Sequence, residues 1–223
     1  MSKEKTKDLL LEAGKATFLE KGYNNSGIES ILQAAGVPKG SFYYYFDSKE
    51  DFGLRVLDRF ASCYAERLDR FLGDASLPPL GRLRAYFESV FEKLASDQCR
   101  KGCLVGNLSQ EMADQSEVFR ARLEEIFEGW VDRYAECLDE ARRAGEIAPD
   151  LDVHELAEFW LNGWQGAILR AKTMRSTAPL RTFLAVMFGD ILQGKPGSRD
   201  QSGMSGPRPS AAGATRNRPL SSD

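Results

Sequence analysis

The sequence predicts an all-α protein with a small N-terminal unit and a larger C-terminal one, on three observations. From Lys49 onward apolar residues recur at helical spacing, with no run of strand-like alternation. Residues 26–52, SGIESILQAAGVPKGSFYYYFDSKEDF, read as two short helices around a glycine-bearing turn and the start of a third. Helix starts are marked by hydroxyl or carboxylate residues followed three positions later by an acid, at Ser26–Glu29, Ser48–Asp51 and Asp152–Glu155.

Ser26 with Glu29 fits a capping box, and Ile28, Ile31, Leu32 and Ala35 then give the helix one apolar face. Gly36 supplies the positive φ that ends it, Val37 plugs the turn, and Pro38 suits the first position of the next helix. Phe42 and Phe46 fall on the buried side of that second helix, leaving Lys39, Ser41, Tyr44 and Tyr45 on or near the outside. Ser48 with Asp51 opens a long helix to Leu72, ended near Gly73. Further helices are expected from Pro78–Pro79 to about Cys99, Leu104 to about Ala113, Ser116 to Ala144, Asp152 to about Met174, and Pro179 to about Gln193. From Lys195 the chain is rich in Gly, Ser, Pro, Arg and Ala and is expected to be disordered. The expected division is 1–47, 48–194 and a tail at 195–223.

A short helix, a tight turn and a second short helix is the layout of a helix-turn-helix, whose second helix enters the DNA major groove. The residues that build it resemble the TetR family of bacterial repressors. The resemblance rests on Ala35-Gly36-Val37, Lys39-Gly40-Ser41-Phe42-Tyr43, Tyr45-Phe46 and Ser48-Lys49-Glu50, preceded by Phe18, Glu20, Lys21, Gly22 and Tyr23. Two departures are Gly27, where many members carry Ser or Thr for a phosphate contact, and Tyr44, often His. Beyond this region, Arg100-Lys101-Gly102-Cys103-Leu104-Val105-Gly106-Asn107-Leu108 and Gly166-Ala167-Ile168-Leu169-Arg170-Ala171-Lys172 resemble a narrower subgroup. That subgroup includes an acrylate-responsive regulator and, more loosely, the N-ethylmaleimide-reductase repressor.

The resemblance implies a three-helix DNA-binding domain and a helical ligand-binding and dimerisation domain, about nine helices in all. It implies a homodimer on double-stranded operator DNA, released by a small-molecule effector of electrophile or unsaturated-acid type. Lys39 and Tyr44 are expected to face the groove, and Tyr43, Tyr45 and Lys49 to hold phosphates, with Gly27, Gly40 and Ser41 completing the DNA-binding set.

Composition sets limits on function. The net charge of −3 argues against a general polyanion binder. Residues 1–59 carry 9 basic and 9 acidic side chains, whereas residues 60–193 carry 16 and 22. No run approaches a membrane span, and the N-terminus lacks a signal-peptide core, so a cytoplasmic protein without a membrane partner is expected. One His and no nucleophile–base–acid set argue against an enzyme, and no catalytic residue or cofactor is assigned. The loose Cys99–Cys103 spacing and that single His argue against zinc. A helical interaction or scaffold protein without sequence-specific DNA binding is the alternative, and it leaves the tyrosine-rich helix and its lysines unexplained.

Three further expectations concern the C-terminal unit. Phe159, Trp160, Gly163, Trp164, Ala167 and Ile168, with Leu180, Phe183, Leu184, Met187, Phe188 and Ile191, exceed what one small helical layer would bury and are expected at a dimer interface. Cys103 sits before a helix start beside Arg100 and Lys101, which favours thiolate; a small buried thiol also fits. Cys99 would be its resolving partner, and Cys63 and Cys137 are expected in the core. Following the resemblance, Tyr86, Asn107, Trp130, Tyr134, Trp164 and Gln165 are expected around a ligand cavity, with Lys172, Arg120 or Arg170 available to a carboxylate.

Overall fold

A computed structural model describes residues 3–192, and the expected disordered tail lies outside them. Nine α-helices are present among the described residues: α1 (Lys3–Lys21), α2 (Ile28–Ala35), α3 (Phe42–Tyr45), α4 (Lys49–Leu72), α5 (Pro79–Ser96), α6 (Leu104–Met112), α7 (Glu117–Arg143), α8 (Val153–Met174) and α9 (Ala178–Val186). A 3-10 turn at Lys39–Ser41 leads into α3, and a π-helical turn at Met187–Ile191 follows α9.

Several helix boundaries follow from their caps. Ser48 accepts the Asp51 amide at 3.0 Å, and Asp152 accepts those of His154 and Glu155, as expected. Gly36 ends α2 in the left-handed region, with φ 64°. The Ser26–Glu29 capping box does not form. Ser26 is buried and its hydroxyl turns back to the Gly22 carbonyl, so Gly27 becomes the N-cap and supplies no side chain. Pro38 precedes the 3-10 turn as its cap instead of lying inside a helix. Helix α5 stops at Ser96 rather than Cys99, because Gln98 and Cys99 both take left-handed backbone, φ 53° and 54°.

The N-terminal helices close around an aromatic cluster. Phe52, from the first turn of α4, lies 5.9 Å from Phe18, 5.3 Å from Phe42 and 4.8 Å from Phe46 between ring centroids, and all four are buried. These edge-on contacts add to the area buried. They also tie α1, α3 and α4 into one packed body. Gly14 of α1 lies over the Phe52 ring.

The larger body is a helical stack in which α7 packs on α8 and α5, and α8 on α9. Its centre is a second aromatic cluster, with Phe87 at 5.1 Å from both Trp160 and Trp164 and 5.4 Å from Tyr134. This removes most, though not all, of the expected interface set: Phe159 stays exposed. Trp160, Trp164, Ala167, Ile168, Leu180, Met187 and Phe188 are all buried within the single chain. A Cβ at Gly163 would stand 2.6 Å from the Phe183 ring, so that glycine serves packing inside the subunit. Phe188 packs edge-on against Trp160 at 5.1 Å and lies under the Arg84 guanidinium at 4.3 Å. No helix among the described residues is long and apolar enough to cross a membrane.

A Cβ added at Gly14 would lie 2.4 Å from Phe52 Cζ and 3.0 Å from Val56 Cγ2. Alanine gains about 1 kcal/mol of helix propensity over glycine, while overpacking a closed core costs about 1–3 kcal/mol. Gly14→Ala is therefore expected to lower Tm despite the better helix former; a raised Tm in thermal denaturation would show that the Phe52 ring can yield.

Candidate nucleic-acid interface and ligand cavity

The exposed face of the N-terminal body is built from α2, the 3-10 turn and α3. Burying Phe42 and Phe46 on one side of a four-residue helix forces the intervening residues outward. Tyr43 is 70% exposed and Tyr44 59%, unusual for aromatic side chains with nothing to cover them. Tyr45 is half-buried, and Ser41 lies at the edge of the same face. The Lys3 ammonium sits 4.9 Å over the Tyr44 ring. Gly27 and Gly40 are exposed, and a Cβ at either would meet nothing within 4 Å. With no side-chain cap at Gly27, the first amides of α2 lack a capping acceptor, and such an end receives anions well.

Two lysines of the expected set are already engaged. Lys39 pairs with Glu29 on α2, both side chains being largely exposed. That pairing raises the lysine's pKa and lowers the carboxylate's. Lys49 lies 4.4 Å over the Tyr23 ring and donates to the Asn24 carbonyl at 3.4 Å. Burial pulls its pKa down, against the pull of Glu111. A phosphate would have to compete with these contacts.

A cavity of about 390 Å³ lies between α4, α5 and α8. Of the residues expected to surround it, Tyr86, Cys103, Trp164 and Gln165 line it. Asn107 and Lys172 lie instead on an open groove of about 660 Å³ between the end of α1, α6 and α8, where Lys172 Nζ approaches Asn107 Oδ1 at 3.5 Å. Leu19, Gly102, Cys103, Gln165 and Ile168 are shared by both spaces. Trp130 and Tyr134 are buried beside the cavity and support its wall. They do so through Tyr64 of α4, which the sequence reading missed. Tyr64 stacks on Trp130 at 3.9 Å and 24°, and its hydroxyl meets that of Tyr134 at 2.8 Å. Only its place on the inner side of an amphipathic helix could have signalled it.

Burial first, and repulsion between neighbouring phenolates second, hold Tyr64, Tyr86 and Tyr134 well above the ordinary phenol range. They act as neutral hydroxyls. The Tyr86 hydroxyl is buried close to those of Tyr64 and Tyr134 but makes no hydrogen bond of good geometry among the described residues.

Cys103 is the N-cap of α6, as its position suggested, but it is buried. Burial pushes its thiol up, and the Gly106 amide, Gln165 and the Val105 amide offset this only in part. Gln165 Nε2 approaches the sulfur at 3.6 Å. The nearby cations turn away: Lys101 pairs with Asp97 at 3.5 Å and Arg100 donates to Gln98. The expected bias toward thiolate is thus reversed by desolvation. Cys99 and Cys137 are buried, whereas Cys63, expected in the core, is exposed and lines the cavity. Arg120 is held on the surface by Glu117 and Glu124, and Arg170 is exposed, so neither enters the cavity lining.

A helix-turn-helix body joined by one continuous helix to an all-helical body that carries a cavity is the architecture of a transcription regulator. Residues 10–56 match the family described as bacterial regulatory proteins, tetR family, and residues 79–187 match the tetracyclin repressor-like C-terminal domain. The HTH-type transcriptional repressor DhaR of Mycobacterium sp. (strain GP1) is 43% identical over 86% of this chain and 95% of its own. The transcriptional regulator AcuR of Cereibacter sphaeroides is 46% identical over 78% and 80%. The crystal structure of the reduced form of E. coli NemR is 31% identical, with a TM-score of 0.73 over 82% of this chain and 96% of that one. The chain belongs to the TetR family of transcriptional regulators. AcuR and NemR are members of the subgroup to which the C-terminal motifs point.

An unpaired buried hydroxyl costs about 1–3 kcal/mol. Tyr86→Phe is expected to hold or raise the unfolding free energy measured in urea; a clear loss would reveal a partner for that hydroxyl.

Proposed function

We propose that the protein is a homodimeric repressor that leaves a palindromic operator when a small electrophile or unsaturated carboxylate binds. The observation that carries the effector half is the 390 Å³ cavity, which suits a small molecule. Its wall mixes apolar side chains such as Phe60, Val90 and Ile168 with Lys15, Arg67, Lys93 and Lys101, cations able to meet a carboxylate, and with Cys103. In this reading Lys39 and Tyr44 meet base edges, Tyr43, Tyr45 and Lys49 hold phosphates, and Gly27, Gly40 and Ser41 admit the DNA backbone. The division is a DNA-binding domain to residue 47 and a ligand-binding and dimerisation domain from 48.

Reversible occupancy of the cavity is favoured over modification of Cys103, because that thiol is buried and kept protonated. The test is a gel shift on a duplex from immediately upstream of the protein's own coding sequence. Acrylate is expected to release the wild type and Cys103→Ser alike. Release of only the wild type, by acrylate or by N-ethylmaleimide, would assign sensing to Cys103. No shift with the wild type would sink the repressor reading.

The dimer surface in this reading is the outer stripe of α8 and α9. Phe159, Asn162, Gly166 and Leu169 recur at helical spacing on the exposed face of α8, with Phe159 57% and Leu169 50% exposed. Ala185 and Val186 are exposed on α9. A Cβ at Gly166 would meet nothing within this chain, yet glycine inside a helix costs about 1 kcal/mol. Close approach of a second helix accounts for it. Two recognition helices about one DNA turn apart would then read the two half-sites. Leu169→Glu is expected to sediment as a monomer with its helicity intact and to bind the duplex weakly, whereas a stable dimer would move the interface elsewhere.

A further inference from the structure

Helix α6 touches the cavity at one end and the N-terminal body at the other. At its start, Cys103 and Gly106 abut Gln165 of α8. At its end, Glu111 reaches across to the corner between α1 and α2. Its Oε2 accepts the Tyr23 amide at 2.7 Å and its Oε1 accepts the Asn24 amide at 2.7 Å. A carboxylate in the last turn of a helix opposes the macrodipole, so intrinsic preference does not account for Glu111. Two short, charge-assisted bonds do.

The corner is shaped to receive it. Gly22 takes φ +81°, which ends α1 and turns the next amides toward one concave side. A Cβ at Gly22 would lie 3.0 Å from Glu111 Oε2 and 3.1 Å from Oε1, so backbone conformation and space both call for glycine there. The contact is reinforced around its rim. Asn24 Nδ2 donates to Gln115 Oε1 at 3.3 Å, and Ser116 Oγ donates to Glu50 Oε1 at 2.6 Å. The Tyr23 ring is wedged against Phe119 at 5.2 Å. Residues 111–119 therefore grip both the α1–α2 corner and the first turn of α4.

We propose that Glu111 is a positioning residue for DNA binding, a clasp through which α6 sets the attitude of the N-terminal body directly rather than only by pushing α4. The inference rests on the repressor reading for its DNA arm, and on the geometry of the corner for the rest. A ligand that moves the cavity end of α6 differently in two states loads or unloads this clasp at the other end. An effector shifts the equilibrium only through such differential contacts.

Electrostatics makes the test sharp. Removing a carboxylate from a DNA-binding protein raises its affinity for any duplex by Coulomb attraction alone. A lost clasp lowers affinity for the specific duplex while non-specific affinity holds or rises. Glu111→Gln keeps one acceptor oxygen and the side-chain shape, so it breaks one of the two bonds; Glu111→Ala breaks both.

The full-length variants are assayed on the upstream duplex and on a scrambled duplex, with amide hydrogen exchange on the protein alone. The expected result is graded. Exchange at Tyr23 and Asn24 quickens from wild type to Gln to Ala, and specific affinity falls on the order of tenfold in the Ala variant, within the usual range of coupling between sites. Gly22→Ala should produce the same loss and add little to Glu111→Ala, since both break one contact. Unchanged exchange in both Glu111 variants overturns the proposal. So does equal tightening on both duplexes, or an affinity loss matched by a fall in the folded fraction at the assay temperature. A wild type that ignores the upstream duplex fails the repressor reading instead, and the exchange experiment still decides the clasp.

Discussion

The structure depends on one helix belonging to two cores. Phe52, in the first turn of α4, is the centre of the aromatic cluster that holds the N-terminal body together. Tyr64, three turns later, stacks on Trp130 in the wall of the cavity. Between them the helix runs without a break, and its full length is about 36 Å at ~1.5 Å per residue. In the proposed mechanism, an unbroken hydrogen-bonded helix with no proline in it carries a shift at Tyr64 toward Phe52. The packing of Gly14 against Phe52 and of Gly53 against Tyr23 and Phe119 leaves little slack to absorb it.

Against that helix, α6 is a second connection of different kind. Helix α4 acts through buried aromatic contacts, which are broad and tolerant of small displacement. The end of α6 acts through hydrogen bonds to specific backbone amides, which weaken steeply with distance and angle. In the proposed mechanism the first connection keeps the two bodies together and the second decides their angle.

Where the sequence was legible, local chemistry sufficed. Gly36, Ser48 and Asp152 marked helix ends because a cap is a contact within four residues. Phe42 and Phe46 declared their burial by spacing alone. Ser26 was misread although its partner is local: its capping signature competed with the Gly22 carbonyl four residues back, which captured its hydroxyl. The other failures came where a distant group decided. The aromatic residues of α8 and α9 looked like surplus apolar surface only because Phe87, on α5, was not known to lie between Trp160 and Trp164. Cys103 had the flanking cations and helix start of a reactive thiol. Only the tertiary fold showed those cations paired elsewhere and the sulfur desolvated. Of the candidate cavity residues, Tyr86, Trp164, Gln165 and Cys103 met in space, while Tyr64, which joins them to Trp130 and Tyr134, carried no motif.

The bare start of α2 bears on when that helix becomes fully formed. It is eight residues long, shorter than a helix that would persist alone in water, and no side chain closes its first turn. In the proposed function, a phosphate resting on those amides would complete the hydrogen bonding that Gly27 leaves open, and the nucleic acid itself would be the missing cap. Part of the folding of the reading head is then deferred until contact, and its entropy cost falls on the encounter with DNA. A protein built this way would give up some affinity on every duplex alike, and leave the choice among sequences to the side chains that meet the bases.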